Sequence, residues 1–408
     1  MQDELLLYAL ANQEFKKLNN KIDAKDIHLT KIDDYLYKAD FNNIDYDYGY
    51  KYLGDNDVVA VFGTCSGIRA GDIFARNYDW LYDNAVEFII RVPAIEGRHA
   101  SIGISSMNEK FTPNIMADKP IKSYAKAIPF LTLDGMNDAG LTVSTNVVPA
   151  GDKGHTTGQD NPTRICNLMV VRYLLDHAAT VDEAIDLFTN ELSVYAKDNI
   201  ELHWLIADAN KTYIVEYTDN ELQVITNNEG IMTNFYHTDW DGQLITGFDE
   251  PEGILPTDTT LTAHAEGIER YEILRAAKPS ITDVASARSA MAAVKYTNTY
   301  GTPFWYSEAV GNDERFGDLT IYQNKSEFDD IEDYMKQLYI DRTRDNPKTW
   351  QTVHNSIYDL KNKTLTVWTQ EEDEVKFTGP VIQYGTETWT ITFAGGKTVT
   401  KKWVTEND

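Results

Sequence analysis

Only two cysteines occur in the 408 residues, Cys65 and Cys166, and the first stands where a thiol can do chemistry. A short apolar run, Val58-Val-Ala-Val-Phe62, leads into Gly63-Thr64-Cys65-Ser66-Gly67. The small neighbours let backbone or substrate come close. The spacing then predicts a hairpin, with one strand over 66–69, a turn at Ala70-Gly71-Asp72 and a return strand over 73–78. That hairpin brings Arg76 and Asp79 within one or two residues of the position facing Cys65. A thiol is a weak nucleophile until its proton is removed or its pKa lowered. A guanidinium beside it favours the thiolate, and a carboxylate can hold a nearby amine. The plainer alternative is a core cysteine beside an ordinary surface ion pair, which is worth little. Cys166 falls in an apolar helix predicted over 164–177 and reads as packing. The eight histidines are scattered, none paired with Cys65 and none at metal-ligand spacing. Neither a Cys–His protease nor a metal or other cofactor is indicated.

The elements that must position these residues follow from periodicity. Residues 1–20 read as a helix, 21–57 as polar and rich in Asp, Asn and Tyr, and 40–49 within them as an exposed, irregular connector. Strands are expected over 87–92 and 101–105, and a strand–turn–strand unit over 130–145 with its turn at 134–140. Helices are expected over 164–177 and 181–188, the second capped by Thr180 with Glu183 three residues on. A meander over 203–225, ended by 230–235, precedes helices near 267–277 and 281–294. Strands near 319–323, 352–359, 364–368 and through 375–404 complete the chain. Strands, two helices, strands, two helices, strands suggest two antiparallel sheets stacked between helix layers.

Composition bounds the function classes. Apolar residues make up 42%, enough for a sizeable core, and the net charge of −27 repels nucleic acid and anionic lipid. No apolar run reaches membrane-spanning length, so membrane insertion is not expected. Asp3 and Glu4 precede the apolar Leu5, Leu6 and Leu7, and no small-residue cleavage site follows, which is not a signal peptide. A cytoplasmic location is expected for the chain as given, export requiring a signal already removed.

Two segments, Thr64-Cys65-Ser66-Gly67 and Phe74-Ala-Arg76-Asn-Tyr-Asp79-Trp80, together resemble the choloylglycine hydrolase family of linear-amide C–N hydrolases. Bile-salt hydrolases, penicillin V acylases, acid ceramidase and N-acylethanolamine amidases look similar at this site. Asp134-Gly-Met-Asn-Asp-Ala-Gly-Leu141, Asn146, Leu202–Asp208, Met232-Thr-Asn234, Glu269-Arg270-Tyr271 and Tyr358–Trp368 follow in the family's order. The resemblance implies an α+β fold, the four-layer αββα Ntn-hydrolase sandwich of two antiparallel sheets. It divides the chain into a pro-segment over 1–64, a catalytic domain over 65–370 and a C-terminal β extension over 371–408. Residue by residue, it makes Cys65 the nucleophile and its freed α-amino group the base. Arg76 sits beside the thiol, Asp79 orients the amine, Asn146 and Asn234 help form the oxyanion hole, and Arg270 adds positive charge. Read without the family, Asn146 and Asn234 are equally turn residues and Arg270 a solvated helix charge. Trp80, Tyr82, Phe235 and Tyr236 flank the motifs as candidate walls of an apolar acyl pocket.

The implied activity is hydrolysis of a small-molecule N-acyl amide, in a monomer or homo-oligomer. An acyltransferase using the same acyl-enzyme, a papain-like protease and a non-catalytic binding protein are the competing readings. An α-amino base exists only if the bond between Thr64 and Cys65 is broken, so self-cleavage there is expected. The helix at 1–20 is expected to cover the acyl pocket until then.

Overall fold

The computed structural model describes residues 27–32, 36–55, 65–81, 86–95, 97–107, 125–148, 160–196, 201–226, 228–238, 268–295, 350–369, 374–378, 388–392 and 398–402. The helix expected over 1–20, the strand over 58–62 and the strand near 319–323 lie outside these. So does Tyr82.

Side-chain alternation builds the layers. In β5 (Val86–Val92), Phe88 and Ile90 join one buried apolar cluster while Ile89 joins another. In β11 (Glu201–Ala207), Trp204 and Ile206 go one way and Leu205 and Ala207 the other. Period-two strands apolar on both faces must be covered on both faces. The first sheet has nine strands. They run β1 (Ile27–Lys31), β2 (Leu36–Phe41), β5, β6 (Ser101–Met107), β7 (Thr132–Asn137), β8 (Thr142–Val148), β11, β12 (Thr212–Thr218) and β13 (Glu221–Ile225). The second has eight: β14 (Ile231–Met232), β3 (Ser66–Ala70), β4 (Ile73–Leu81), β15 (Trp350–Asp359), β16 (Thr364–Thr369), β17 (Glu374–Thr378), β18 (Thr388–Thr392) and β19 (Thr398–Lys402). A small parallel pair, β9 (Thr163–Cys166) with β10 (Leu192–Tyr195), stands apart.

Three apolar clusters fill the three gaps between four layers. Helices α2 (Val170–His177) and α3 (Val181–Asn190) pack on the first sheet with Leu174, Leu175, Phe188, Trp204 and Ile206. Between the sheets lie Ile89, Ile102, Ile104, Met136 and Leu205 from one and Phe74, Tyr358, Leu365 and Val367 from the other. Helices α4 (Ile268–Ala277) and α5 (Val284–Ala293) close the outer face of the second sheet with Ile68, Ala75, Leu274, Met291 and Ile357. The molecule is thus an αββα sandwich. Among the described residues no helix is long and apolar enough to cross a membrane.

Several sequence expectations are corrected. The stretch over 40–49 is neither irregular throughout nor exposed: its first residues end β2, which forms a hairpin with β1 and runs parallel to β5, and its last ones open α1 (Tyr46–Asp55). Ala39, Phe41, Ile44 and Tyr48 are buried in the helix-side core. Their spacing among Asp and Asn hides them in the sequence. The helix expected from 164 begins only at Val170, because residues 163–166 pair with β10 first; Cys166 is therefore a buried strand residue. Residues 134–137 extend β7 rather than forming the turn, which sits at 138–139. The 230–235 stretch does not end the meander within its own sheet: β14 crosses to the second sheet and pairs with β3.

Candidate active site

Cys65 directly precedes β3, and β3 and β4 form the expected hairpin. Gly71 adopts φ +56° in the two-residue turn, a conformation glycine takes without penalty. The register sets Gly67 opposite Arg76 and Ser66 opposite Asn77. Arg76 shares a strand face with Phe74, so its side chain enters the space between the sheets. There its Nη2 lies 3.6 Å from the Cys65 sulfur. The same Nη2 donates to the Thr145 carbonyl at 2.7 Å, and Nη1 to Asp134 at 3.2 Å.

Asn234 arrives from the other side. Gly230, at φ +66°, turns the chain toward β3, and the Arg69 N–H donates to its carbonyl. β14 then pairs Met232 with Gly67. This carries Asn234 to the Cys65 backbone, whose N–H donates to Asn234 Oδ1 at 2.6 Å. Arg270, near the start of α4, donates to the Cys65 carbonyl and, at 2.7 Å, to the same Asn234 Oδ1. Two donors converge on that oxygen and so fix the orientation of the amide. Asp79 accepts from the Thr352 hydroxyl at 2.5 Å, and its other oxygen lies 3.9 Å from Arg270. Cys65, Arg76, Asp79, Asn146, Asn234 and Arg270 are all buried and form one cluster.

The two asparagines differ in what their amide groups do. Asn146 donates to both the Met232 and Thr233 carbonyls, at 3.1 and 3.0 Å. It braces the loop that bears Asn234, and both its N–H bonds are used. Asn234 donates to the Val147 carbonyl at 2.6 Å while its oxygen faces Cys65. Only Asn234 therefore touches the cysteine directly.

Burial pushes the Cys65 thiol above its ordinary range; Arg76 pulls it down, Asp79 pushes it up, and the net effect is upward. The thiol of the unbroken chain is thus held as the neutral form. Thr64, on the far side of the expected scissile bond, lies outside the described residues.

The candidate pocket residues have packing partners. Phe235 sits edge-on to Tyr271 in the α4–α5 core, and the buried Tyr236 donates its hydroxyl to Glu201 at 3.0 Å. Trp80 lies on β4 by its backbone.

Sequence reasoning missed the groups behind Arg76. Asp134 accepts from Arg76, from Ser356 Oγ at 2.8 Å and from Tyr358 OH at 2.5 Å, with His354 Nε2 at 3.4 Å. His354 Nδ1 faces Glu87. A second buried carboxylate, Glu216, accepts from the backbone N–H groups of His237 and Thr238 and from the Thr238 hydroxyl. The only sequence signal was a charge or histidine inside an otherwise apolar strand: Glu87 before Phe-Ile-Ile, His203 before Trp-Leu-Ile, Glu216 between Val and Tyr.

The profile of a family described as linear amide C-N hydrolases, choloylglycine hydrolase family, matches residues 65–271. A bile salt hydrolase/transferase of Clostridium perfringens is 29% identical over 113 residues, 26% of this chain and 34% of the relative. The match thus spans about a third of that curated relative's length. Among solved structures, a mutant of conjugated bile acid hydrolase from Clostridium perfringens is 14% identical with a TM-score of 0.44, covering 84% of this chain and 97% of that one. Penicillin V acylase from Agrobacterium tumefaciens is 18% identical with a TM-score of 0.41, covering 76% and 83%. At those scores the structural likenesses bear no weight beside the profile match.

Proposed function

The chain belongs to the linear amide C-N hydrolases of the choloylglycine hydrolase family, and from that premise we propose that it cleaves a linear N-acyl amide through a thioester on Cys65. The observation that carries this reading is that one residue presents both halves of the machinery. The Cys65 sulfur lies beside Arg76, and its own nitrogen is held by Asn234. Among the described residues no histidine is bonded to the sulfur.

The base is then the α-amine of Cys65, freed by cleavage after Thr64. In that step the thiol attacks the Thr64 carbonyl, the acyl group moves from nitrogen to sulfur, and water hydrolyses the thioester to release the Thr64 carboxylate. A free α-amine has an ordinary pKa of about 7.7–8.0, suited to proton transfer near neutrality. In turnover the amine takes the thiol proton and the sulfur attacks the substrate carbonyl. The proton passes to the leaving amine, and water releases the acid from the thioester. Asn234 holds the Cys65 nitrogen through its amide oxygen and Asn146 braces its loop; a donor that either amide turned toward the developing oxyanion would contribute about 3–4 kcal/mol to the barrier reduction.

Cys65→Ala removes self-cleavage and turnover together, whereas Cys166→Ala, a buried strand position, changes kcat/KM by no more than about twofold. Assay of both against linear N-acyl amides, bile-salt conjugates and penicillin V included, tests the reading. Persistent turnover in Cys65→Ala ends it. N-terminal sequencing of active protein must find a chain that begins at Cys65. The name of the Clostridium perfringens relative includes a transferase activity, which supports a second reading in which an amine replaces water in the last step. Product partitioning with added amine separates the two.

A further inference from the structure

The space between the sheets is lined with Ile89, Ile102, Ile104, Met136, Leu205 and Phe74, yet four charged groups meet inside it. They are Arg76 on β4, Asp134 on β7, His354 on β15 and Glu87 on β5, each nearly inaccessible to solvent. Charges in an apolar layer are costly unless balanced and hydrogen-bonded.

The geometry specifies how the balance is struck. His354 Nε2 faces Asp134 Oδ2 at 3.4 Å, and Nδ1 faces a Glu87 oxygen. Ionised carboxylates only accept, so both ring nitrogens must donate, and the ring is the imidazolium. Two cations then match two anions. Asp134 takes four donors, from Arg76, His354, Ser356 and Tyr358, which fill its accepting positions. Arg76 is held by that carboxylate through Nη1 and reaches the Cys65 sulfur through Nη2. Tyr78 adds a face under both: its ring lies 5.2 Å from the His354 ring and 5.0 Å from the Arg76 guanidinium carbon.

We propose that His354 is a positioning residue for Cys65: clamped between Glu87 and Asp134, it fixes Arg76 against the sulfur through Asp134 and makes the thiol's reactivity depend on a proton the thiol does not own. The proposal rests on Cys65 being the reactive group. The groups facing His354 are Glu87, Asp134 and Tyr78; those facing Cys65 are Arg76, Asp79, Tyr78 and Arg270. When His354 loses its proton, one ring nitrogen turns a lone pair toward a carboxylate. Asp134 then loses one of its four donors and can shift, carrying with it the Nη1 of Arg76, while Nη2 keeps its bond to the Thr145 carbonyl.

The test reads the thiolate directly, by its ultraviolet absorbance against pH, as the difference between the protein and its Cys65→Ser variant. His354→Gln cannot titrate and is expected to show about tenfold less thiolate at a given pH, one pKa step of lost stabilisation. Its thermal transition confirms folding. Glu87→Gln is the second variant: it keeps the imidazole and removes the anion behind it, so the loss should appear at lower pH than in the unmodified protein. Ser356→Ala, which removes a neutral donor to Asp134, should leave the titration within about twofold of the parent, a small change for one neutral hydrogen bond. A Cys65 titration unchanged in folded His354→Gln overturns the proposal. If His354→Gln does not fold, an unchanged Glu87→Gln titration does so instead. Turnover is measured on the same samples. A protein that titrates as proposed but cleaves no acyl amide refutes the amidase reading alone.

Discussion

Asp79 has no solvent exposure, but its partners are the Thr352 hydroxyl and the Arg270 guanidinium rather than an apolar shell. Asp79→Asn keeps the size and one accepting oxygen while removing the charge that would hold the α-ammonium of mature Cys65. We expect kcat/KM to fall by roughly 10²–10⁴-fold, the range of a lost proton-transfer role, with a far smaller change in Tm. Parallel losses of folding and activity would make Asp79 structural. The inter-sheet charges give a pH signature with opposite signs on its two sides. For Asp134, burial opposes ionisation, but the His354 hydrogen bond and the Arg76 charge hold the carboxyl below its ordinary value. Its contribution to stability is present above the unfolded pKa, about 3.9, and is lost as pH falls through the lower folded value. For His354, burial favours the neutral ring, but the Glu87 charge and the Asp134 and Glu87 hydrogen bonds raise it. Its contribution is full below about 6.5 and is lost as pH rises through the higher folded value. Tm against pH should therefore decline on both sides, and His354→Gln should flatten the alkaline side and, by removing a group that holds Asp134 low, also reduce the acid side. An alkaline limb identical in the variant would place its cause elsewhere. Of these groups, Arg76 and Asp79 were legible because a two-residue turn fixes their register to Cys65. Glu87 and His354, 267 positions apart, were not, because nothing local ties a strand charge to its partner across the sandwich.

At the scale of elements, the site depends on a loop that leaves one sheet for the other. Residues 233–238 follow β14 and carry Asn234, and Glu216 on β12 ties their far end through the His237 and Thr238 N–H groups. His203 Nε2 lies 2.9 Å from the Thr233 carbonyl at the near end. Burial opposes ionisation of Glu216, but His203 beside it and the Thr238 hydroxyl hold its carboxyl below the ordinary range. Glu216→Ala strands two buried backbone donors, at about 1–3 kcal/mol each, and frees the loop. It should lower kcat through Asn234 while leaving the Cys65 titration unchanged; a kcat equal to the parent's would show that the loop needs no such tie. The periodicity of β5, β11 and β12 made these strands readable, and capping signals made α3 readable through Thr180. The crossing of β14 was not readable, since two residues of strand carry no period and the turn at Gly230 looks like any other. The β7 boundary misled for a related reason. Asp134-Gly135 has the look of a turn, but Gly135 stays in the strand opposite Gly103. A Cβ on Gly103 would fall 2.6 Å from the Asp134 carbonyl, so two glycines there allow β6 and β7 to approach closely.

The whole molecule joins what the maturation reading would separate. Cleavage after Thr64 yields fragments of 64 and 344 residues, yet the smaller one is woven into the larger. β2 lies between β1 and β5 in the first sheet, with its ladder to β5 running from Leu36–Glu87 to Asp40–Arg91. Phe41, Ile44 and Tyr48 are buried against the helix-side core, each stabilising the association by roughly 1.5–3 kcal/mol. Tyr46 packs edge-on against Phe130 and Tyr173 and donates to Asp176 at 2.6 Å. Pulling this segment out would leave β5 as a bare, apolar edge, the feature sheet proteins avoid exposing. The cut chain is therefore expected to remain one particle in native buffer and to separate only in denaturant. The sequence did not show what would hold them together, because 40–49 holds its apolar residues singly among Asp and Asn, and a strand buried parallel to a distant partner leaves no local turn to announce it. Size-exclusion chromatography with mass spectrometry on the cleaved protein should find both fragments in a single peak. Phe41→Ala combined with Tyr46→Ala should release the smaller fragment at lower denaturant concentration. A 64-residue fragment that elutes alone without denaturant would mean that the first sheet closes without β2 once the chain is cut.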